Sequence, residues 1–236
     1  GMGCVQDSEK FLTALLDNNE AHLTPTAFIQ STHNTVGGQI ALLLQCKGEN
    51  LTYVNGAVSF ESALLAARMQ MEQEAVETAL VGGVDEHSPH TVFLHDLVGL
   101  NQKGEGAVFF ALSGEESATT YGQLVDVALY NELTGDEQEM MLHSFLFRNE
   151  LTLADIDLVL TGEATPPNWG RPTYAYKNLS GEYYTASAFG FWLACQVLRC
   201  QRIPSVAGLP VSSPIRHILL VNSYLGKDFS FVLLKK

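Results

Sequence analysis

The chain has 236 residues, 46% hydrophobic and 17% charged, with 13 Lys and Arg against 26 Asp and Glu. A formal net charge of −13 excludes a nucleic-acid binder, which needs a basic face. No apolar run approaches the roughly 18–20 residues needed to cross a bilayer, so no membrane role is expected.

The four cysteines, Cys4, Cys46, Cys195 and Cys200, form no Cys-x-x-Cys pair and read as reduced thiols. No signal peptide is apparent, and a cytoplasmic protein is expected. In chain order, the pattern predicts a short amphipathic helix over 7–18, an extended stretch from Pro25 to Thr32, and an apolar helix from Gln39 to Gln45. Leu51 to Val54 reads as a short strand. A helix follows from Ser59 to Glu77, with Ser59 as its cap and a small-residue run, Ser62-Ala63-Leu64-Leu65-Ala66-Ala67. Thr78 to Val84, Ala107 to Leu112 and Leu124 to Tyr130 are predicted strands.

The second half repeats this rhythm. A helix is predicted over Asp136 to Arg148, a helix start at Thr152-x-x-Asp155, and a strand over Ile156 to Leu160. A long apolar helix runs from Thr185 to Cys200, and His217–Ser223 and Phe229–Leu234 form two strands around Gly226-Lys227-Asp228. Alternating strands and helices predict an α/β fold with a substantially parallel sheet and two similar halves.

The turn joining Leu51–Val54 to the Ser59 helix is the place where many α/β enzymes present a nucleophile at a helix N-terminus. Here it reads Asn55-Gly56-Ala57-Val58, and Ala57 stands where a reactive side chain is expected.

Six segments in order carry a resemblance. They are Ser31-Thr32-His33-Asn34-Thr35-Val36-Gly37-Gly38, the strand and turn around Ala57, and Ala79-Leu80-Val81-Gly82-Gly83-Val84-Asp85-Glu86, then three in the second half. Leu160-Thr161-Gly162-Glu163-Ala164-Thr165-Pro166-Pro167-Asn168 is similar to a His-Gly-Thr-x-Thr-Pro-x-Asn loop, and Lys177-Asn178-Leu179-Ser180-Gly181-Glu182 to a Lys-Ser-x-x-Gly-His segment. Val221-Asn222-Ser223-Tyr224-Leu225-Gly226 is similar to a strand ending in a Gly-Phe-Gly-Gly turn. Over roughly residues 24–234 the chain thus resembles the β-ketoacyl synthases of the thiolase superfamily.

The resemblance implies a thiolase-like α/β fold: two related halves, mixed mostly parallel sheets and layered helices, with the N-terminal half incomplete. It implies one thiolase-like domain over 1–236, made of a truncated N-terminal half (1–115) and a C-terminal half (116–236). It also implies a missing first strand–helix–strand unit and an exposed sheet edge, which a partner would cover.

It further implies what has been lost. The family's nucleophilic cysteine falls on Ala57, and its two histidines fall on Thr161 and Glu182. The lysine beside the second is kept as Lys177, a helical carboxylate is replaced by Phe191, and the glycine-rich turn is reduced to Leu225-Gly226-Lys227-Asp228. Condensation needs a thiolate to carry the acyl group and two imidazoles to polarise the malonyl carboxylate and stabilise the oxyanion. Alanine holds no acyl group, and glutamate places negative charge beside an anionic intermediate.

Alternative readings accompany each position. His33 and Asn34 form a cleft edge or interface in the resemblance, or a structural turn. Asp85 to His90 with His95-Asp96 reads as a solvated loop rather than a metal site, and no metal or cofactor is expected. Lys177 is a retained site lysine or a surface lysine ending a strand. Cys46, Cys195 and Cys200 read as packed, inert thiols in apolar helices. Tyr183, Tyr184, Phe189, Phe191 and Trp192 line an acyl tunnel or fill the core. The cleft candidates are Lys177, Thr165, Phe191, Asn222 and Tyr224.

The expected function is a ketosynthase-like subunit of fatty-acid or polyketide-type biosynthesis without condensation activity. It would pair with an active ketosynthase and an acyl carrier protein in a homo- or heterodimer, shaping the acyl channel. Docking to an acidic carrier needs a basic patch, for which Arg148, Arg171, Lys177, Arg199 and Arg202 are the candidates. The alternatives are a hydrolase or acyltransferase using Glu182 as base, and a partner-free degenerate homodimer.

Overall fold

A computed structural model of the chain describes residues 4–21, 25–100, 102–165, 168–209 and 214–236. Helices α1 (Val5–Asp17), α2 (Pro25–Gln30) and α3 (Thr35–Leu44) come first. A single 3-10 turn, Gly56–Val58, then runs into α4 (Ser59–Glu72), followed by β1 (Thr78–Asp85), α5 (Pro89–Leu97) and β2 (Gly106–Ser113). The second half contains β3 (Gln123–Asn131), α6 (Gly135–Arg148), β4 (Leu158–Thr161), β5 (Thr173–Ala175), α7 (Lys177–Ser180), α8 (Ala186–Cys200), β6 (His217–Tyr224) and β7 (Asp228–Lys235).

Two sheets result. β1 and β2 form an antiparallel pair, and the other strands form a sheet of order β3-β7-β6-β4-β5. In that sheet β4 pairs in parallel with β5 and β6, while β7 is antiparallel to both β6 and β3. Four of its five strands therefore run one way and β7 the other. This fits the expected thiolase-like arrangement, with five strands in one sheet and two in the other among the described residues.

The main core lies between the sheets. Phe60 and Leu64 of α4 meet Phe191, Ala194 and Leu198 of α8, and the cluster extends to Leu220 and Val232. A second core lies on the far side of the five-stranded sheet, where Leu142, Phe145 and Leu146 of α6 cover Val159, Leu219 and Phe231. The small-residue motif in β1 has a packing cause: a Cβ on Gly83 would lie 2.6 Å from the Thr185 side chain, so glycine lets α8 approach the strand.

Local departures from the sequence pattern have local causes. Pro25 to Gln30 is helical, not extended, because proline fits a first helical turn whose N–H would be unpaired anyway. Leu51 to Val54 forms no strand, since no ladder partner lies beside it among the described residues. Ser59 is the first residue of α4, not its cap: its hydroxyl donates to the Gly56 carbonyl at 2.7 Å and accepts from the Asn55 N–H at 2.9 Å. α4 stops at Glu72, and Glu74 two residues on takes a left-handed φ of 56°. The expected loop after Asp85 contains α5, started by Pro89 and by Ser88, whose Oγ accepts from the Thr91 N–H at 3.2 Å. Thr152 and Asp155 make their capping box around one 3-10 turn only. Among the described residues no helix is long and apolar enough to cross a membrane.

Candidate functional site

The turn before α4 is sharp. Gly56 takes a φ of +52°, and a Cβ there would lie 2.6 Å from Asp228 Oδ2, so the position needs glycine on both counts. Ala57, next along, is buried at the start of the helix.

Its backbone is bound by the other half of the molecule. The Ala57 N–H donates to Asp228 Oδ2 at 3.0 Å, and its carbonyl accepts from Asn222 Nδ2 at 2.8 Å. Asn222 Oδ1 in turn accepts from the Tyr176 hydroxyl at 3.0 Å. One turn into α4, Glu61 Oε1 accepts from the Ser230 hydroxyl at 2.8 Å. Burial pushes the Glu61 carboxyl above the ordinary range, against the hydrogen bonds from Ser230 and its neighbours.

The same device recurs at the other central helix. Just before α8, the Thr185 N–H and hydroxyl both donate to Asp85 Oδ2, at 2.8 and 2.7 Å. Each central helix therefore starts against an aspartate from a strand of the opposite half, a placement that the partial positive charge of a helix N-terminus favours.

Lys177 and Glu182 stand beside this centre. Lys177 is 6% exposed, so it is not a surface lysine, and it opens α7 rather than ending a strand. Its Nζ donates to Glu182 Oε2 at 2.8 Å and to the Ser223 carbonyl, next to Asn222, at 3.4 Å. It also lies 5.9 Å from the Tyr224 ring centroid, and Tyr224 packs on Tyr184 at 5.3 Å. Burial raises the Glu182 pKa, and the Lys177 charge opposes that rise. Glu182 Oε1 is buried with no hydrogen-bond partner. Among the described residues no hydroxyl or thiol hydrogen-bonds Glu182.

The geometry thus joins Ala57, Asn222, Lys177, Glu182 and Tyr224. The side chains at the other expected positions make no hydrogen bond to this group among the described residues. Thr161 is fully buried in β4, and its hydroxyl accepts from the Glu163 N–H at 3.1 Å. Thr165 is exposed in the following loop, whose Pro166 and Pro167 lie outside the described residues. Phe191 is a core residue, packed edge-on against Phe60 and Phe110 at 5.7 and 4.7 Å, and lines no open cleft there. Asn34 precedes α3 without a side-chain capping bond, while His33 lines a cavity of about 500 Å³ between α3, α4 and β1.

The expected basic patch is largely committed within the fold. Arg148 pairs with Asp126, Arg171 Nε donates to the Ile156 carbonyl, Arg199 lies over Tyr121, and Lys177 is buried. Of the cysteines, only Cys195 is packed, and burial pushes its thiol up to about 12. Cys46 and Cys200 are exposed, contrary to the helical-core expectation. Among the described residues no three His, Cys, Asp or Glu side chains are grouped to hold a metal ion.

Three residues of this centre were not singled out from the sequence as functional: Asp228, Asp85 as a helix partner, and Glu61. Asp228 offered one clue, an aspartate directly after the Gly-Lys of a hairpin turn.

Residues 2–107 match the family model "Beta-ketoacyl synthase, N-terminal domain". No curated protein is significantly similar in sequence. Among solved structures, the chain is similar to a β-ketoacyl synthase from Burkholderia phymatum STM815, at TM-score 0.77 and 14% identity, over 98% of this chain and 72% of that one. It is similar to a chain of a ketosynthase in complex with its chain length factor from Xenorhabdus doucetiae (TM-score 0.75, 16% identity, 98% and 71% coverage). It is also similar to a chain of a type II PKS acyl-carrier protein in complex with its ketosynthase bound to the hexaketide (TM-score 0.76, 13% identity, 100% and 72% coverage).

Proposed function

We propose that this β-ketoacyl synthase-like chain is a non-condensing subunit, of the chain-length-factor kind, that acts with an active ketosynthase and an acyl carrier protein. Residues 1–115 and 116–236 are on this reading the N-terminal and C-terminal ketosynthase halves. The pathway class is fatty-acid or polyketide-type biosynthesis.

One observation carries the reading: the elbow is both empty and occupied. Ala57 offers no atom to hold an acyl group, and its N–H, a donor placed to stabilise an oxyanion, is taken by the Asp228 carboxylate. The second position supports it. Glu182 is tied to Lys177 in a buried ion pair, and among the described residues no hydroxyl or thiol bonds to it for activation, which speaks against the hydrolase alternative. The partner assignment is supported by the solved complexes of similar fold, which pair a ketosynthase with a chain length factor and with a carrier protein.

The test is reconstitution. The protein is incubated with acyl- and malonyl-carrier protein, alone and with a candidate active ketosynthase. The expected result is no condensation alone and a changed product length in the mixture. Turnover by the protein alone overturns the proposal. An Ala57→Cys variant is expected to stay unacylated, since Asp228 still holds the N–H and the two histidine positions of the resemblance hold Thr161 and Glu182.

A further inference from the structure

Glu61 is fully buried in the first turn of α4, and among the described residues it makes no ion pair. The side chains that act on its carboxyl come from three other elements and are all neutral: Ser230 of β7, Ser187 of α8 and Asn222 of β6. The Ser230 hydroxyl donates to Glu61 Oε1 at 2.8 Å. Glu61 Oε2 and the Ser187 hydroxyl are both buried, and among the described residues neither has a hydrogen-bond partner. Each central helix thus brings one orphaned polar atom to the same cluster.

The surroundings do not supply what a carboxylate needs. Asn222 spends its Nδ2 on the Ala57 carbonyl at 2.8 Å, and its Oδ1 takes the Tyr176 hydroxyl at 3.0 Å. Burial above all pushes that hydroxyl far up, so Tyr176 stays neutral. Lys177, the cation of the adjoining group, is tied to Glu182 at 2.8 Å. Asp228, earlier on β7, is a second acid and accepts from the Ala57 N–H. The N-terminus of α4 favours an anion, but with only about half an elementary charge. A buried carboxylate with no cation beside it costs more than that returns, and it takes up a proton instead. Burial accordingly raises the Glu61 carboxyl from its ordinary value of 4.5, against the hydrogen bonds that oppose the rise.

We infer that Glu61 is a neutral acid in the folded protein and that its proton latches the two central helices together: Oε2–H donates to Ser187 Oγ while Oε1 accepts from Ser230. One proton then satisfies both orphaned atoms. The latch also fixes β7, the strand whose Asp228 holds the Ala57 N–H, so losing the proton loosens the elbow together with the helix pair. The folded state keeps this proton to higher pH than the unfolded chain does. The stability it brings is therefore full below the unfolded value of 4.5 and is lost as pH rises through the folded value. This inference stands apart from the proposed loss of condensation.

The test is infrared difference spectroscopy of the full chain near neutral pH, parent minus Glu61→Gln. Glutamine is an isostere of the neutral acid, and its amide can donate to Ser187. The expected result is a protonated-carboxyl C=O band that the parent shows and the variant lacks. Ser187→Ala is expected to keep that band and move it, because the acceptor of the Oε2–H is gone. Urea unfolding gives a second reading. Between about pH 5 and about pH 9 the folding equilibrium constant of the parent is expected to fall by about a hundredfold or more relative to Glu61→Gln. Absence of the band in the parent overturns the inference, and so do parallel pH profiles of parent and Glu61→Gln. A band that Ser187→Ala leaves unmoved overturns the latch, whether or not Glu61→Gln folds.

Discussion

The hairpins β1–β2 and β6–β7 hold equivalent places, each following a central helix that faces the other, yet they are finished differently. β6–β7 is flanked on both edges, by β4 and β3, and its outer face is sealed by α6. β1–β2 has no flanking strand among the described residues, and Leu80 and Phe109 on its outer face are exposed. Helix α3 sits near that face but buries nothing fully: Leu42 and Leu43 are 81% and 82% exposed. Equivalent topology therefore does not give equivalent burial. A helix contributes through the apolar face it buries, and α3 has the composition of a buried helix without the burial.

The sharpest way to break this comparison is to truncate one apolar residue on each outer helix. Phe145 of α6 is fully buried against Phe231, at 5.7 Å between ring centroids. Phe145→Ala is expected to cost about 3–5 kcal/mol. Leu43→Ala on α3 is expected to stay within about 0.5 kcal/mol. Urea unfolding followed by circular dichroism reads both. Similar costs would mean that α3 is covered in solution and that the two halves are finished alike.

A smaller effect tests how far the first half leans on the second. Asp126 of β3 binds Arg68 of α4 on one side, and Arg148 at 2.6 Å and Asn149 at 2.8 Å on the other. Burial pushes its pKa up, but the hydrogen bonds from Arg148, Asn149 and Arg68 outweigh that and hold it below the ordinary value of 3.8. A carboxylate lowered in the folded state adds stability that is present above about pH 3.8 and is lost as pH falls through the folded value. Asp126→Asn is expected to cost about 1–2 kcal/mol at pH 7, since both arginines are partly solvated. The gap between variant and parent should close below pH 3.8. A gap that persists in acid would show that the cost is packing and not charge.

These contrasts also mark what can be read from one strand of text. Helices α4, α6 and α8 and the strands of both hairpins are legible because their periodicity and small-residue runs are local. Leu51-Thr52-Tyr53-Val54 has the composition of a strand, yet a strand exists only when another lies beside it, and that fact is not local. Ala57 was legible as an absence because its neighbours form a recognisable turn. The hydrogen bond that occupies its N–H was not, since Asp228 is 171 residues away. Lys177 misleads for a different reason: lysine is exposed by default, and only the folded chain brings Glu182 and the Ser223 carbonyl to its ammonium.

The smallest predicted effect applies the comparison to helix starts. Before α6, Thr134 Oγ1 accepts from the Glu137 N–H at 3.4 Å, and Glu137 Oε2 accepts back from the Thr134 N–H at 2.9 Å. Before α3, Asn34 is a residue type suited to capping but makes no such bond. Thr134→Ala is expected to cost about 1 kcal/mol and Asn34→Ala close to none. Both are read as shifts in urea midpoint at constant slope. The reasoning has two steps: a cap matters only if it is made, and it reaches global stability only if its helix unfolds with the rest. α6 satisfies both through its buried face. α3 buries no residue, so the Asn34 variant is expected to leave the urea midpoint unchanged.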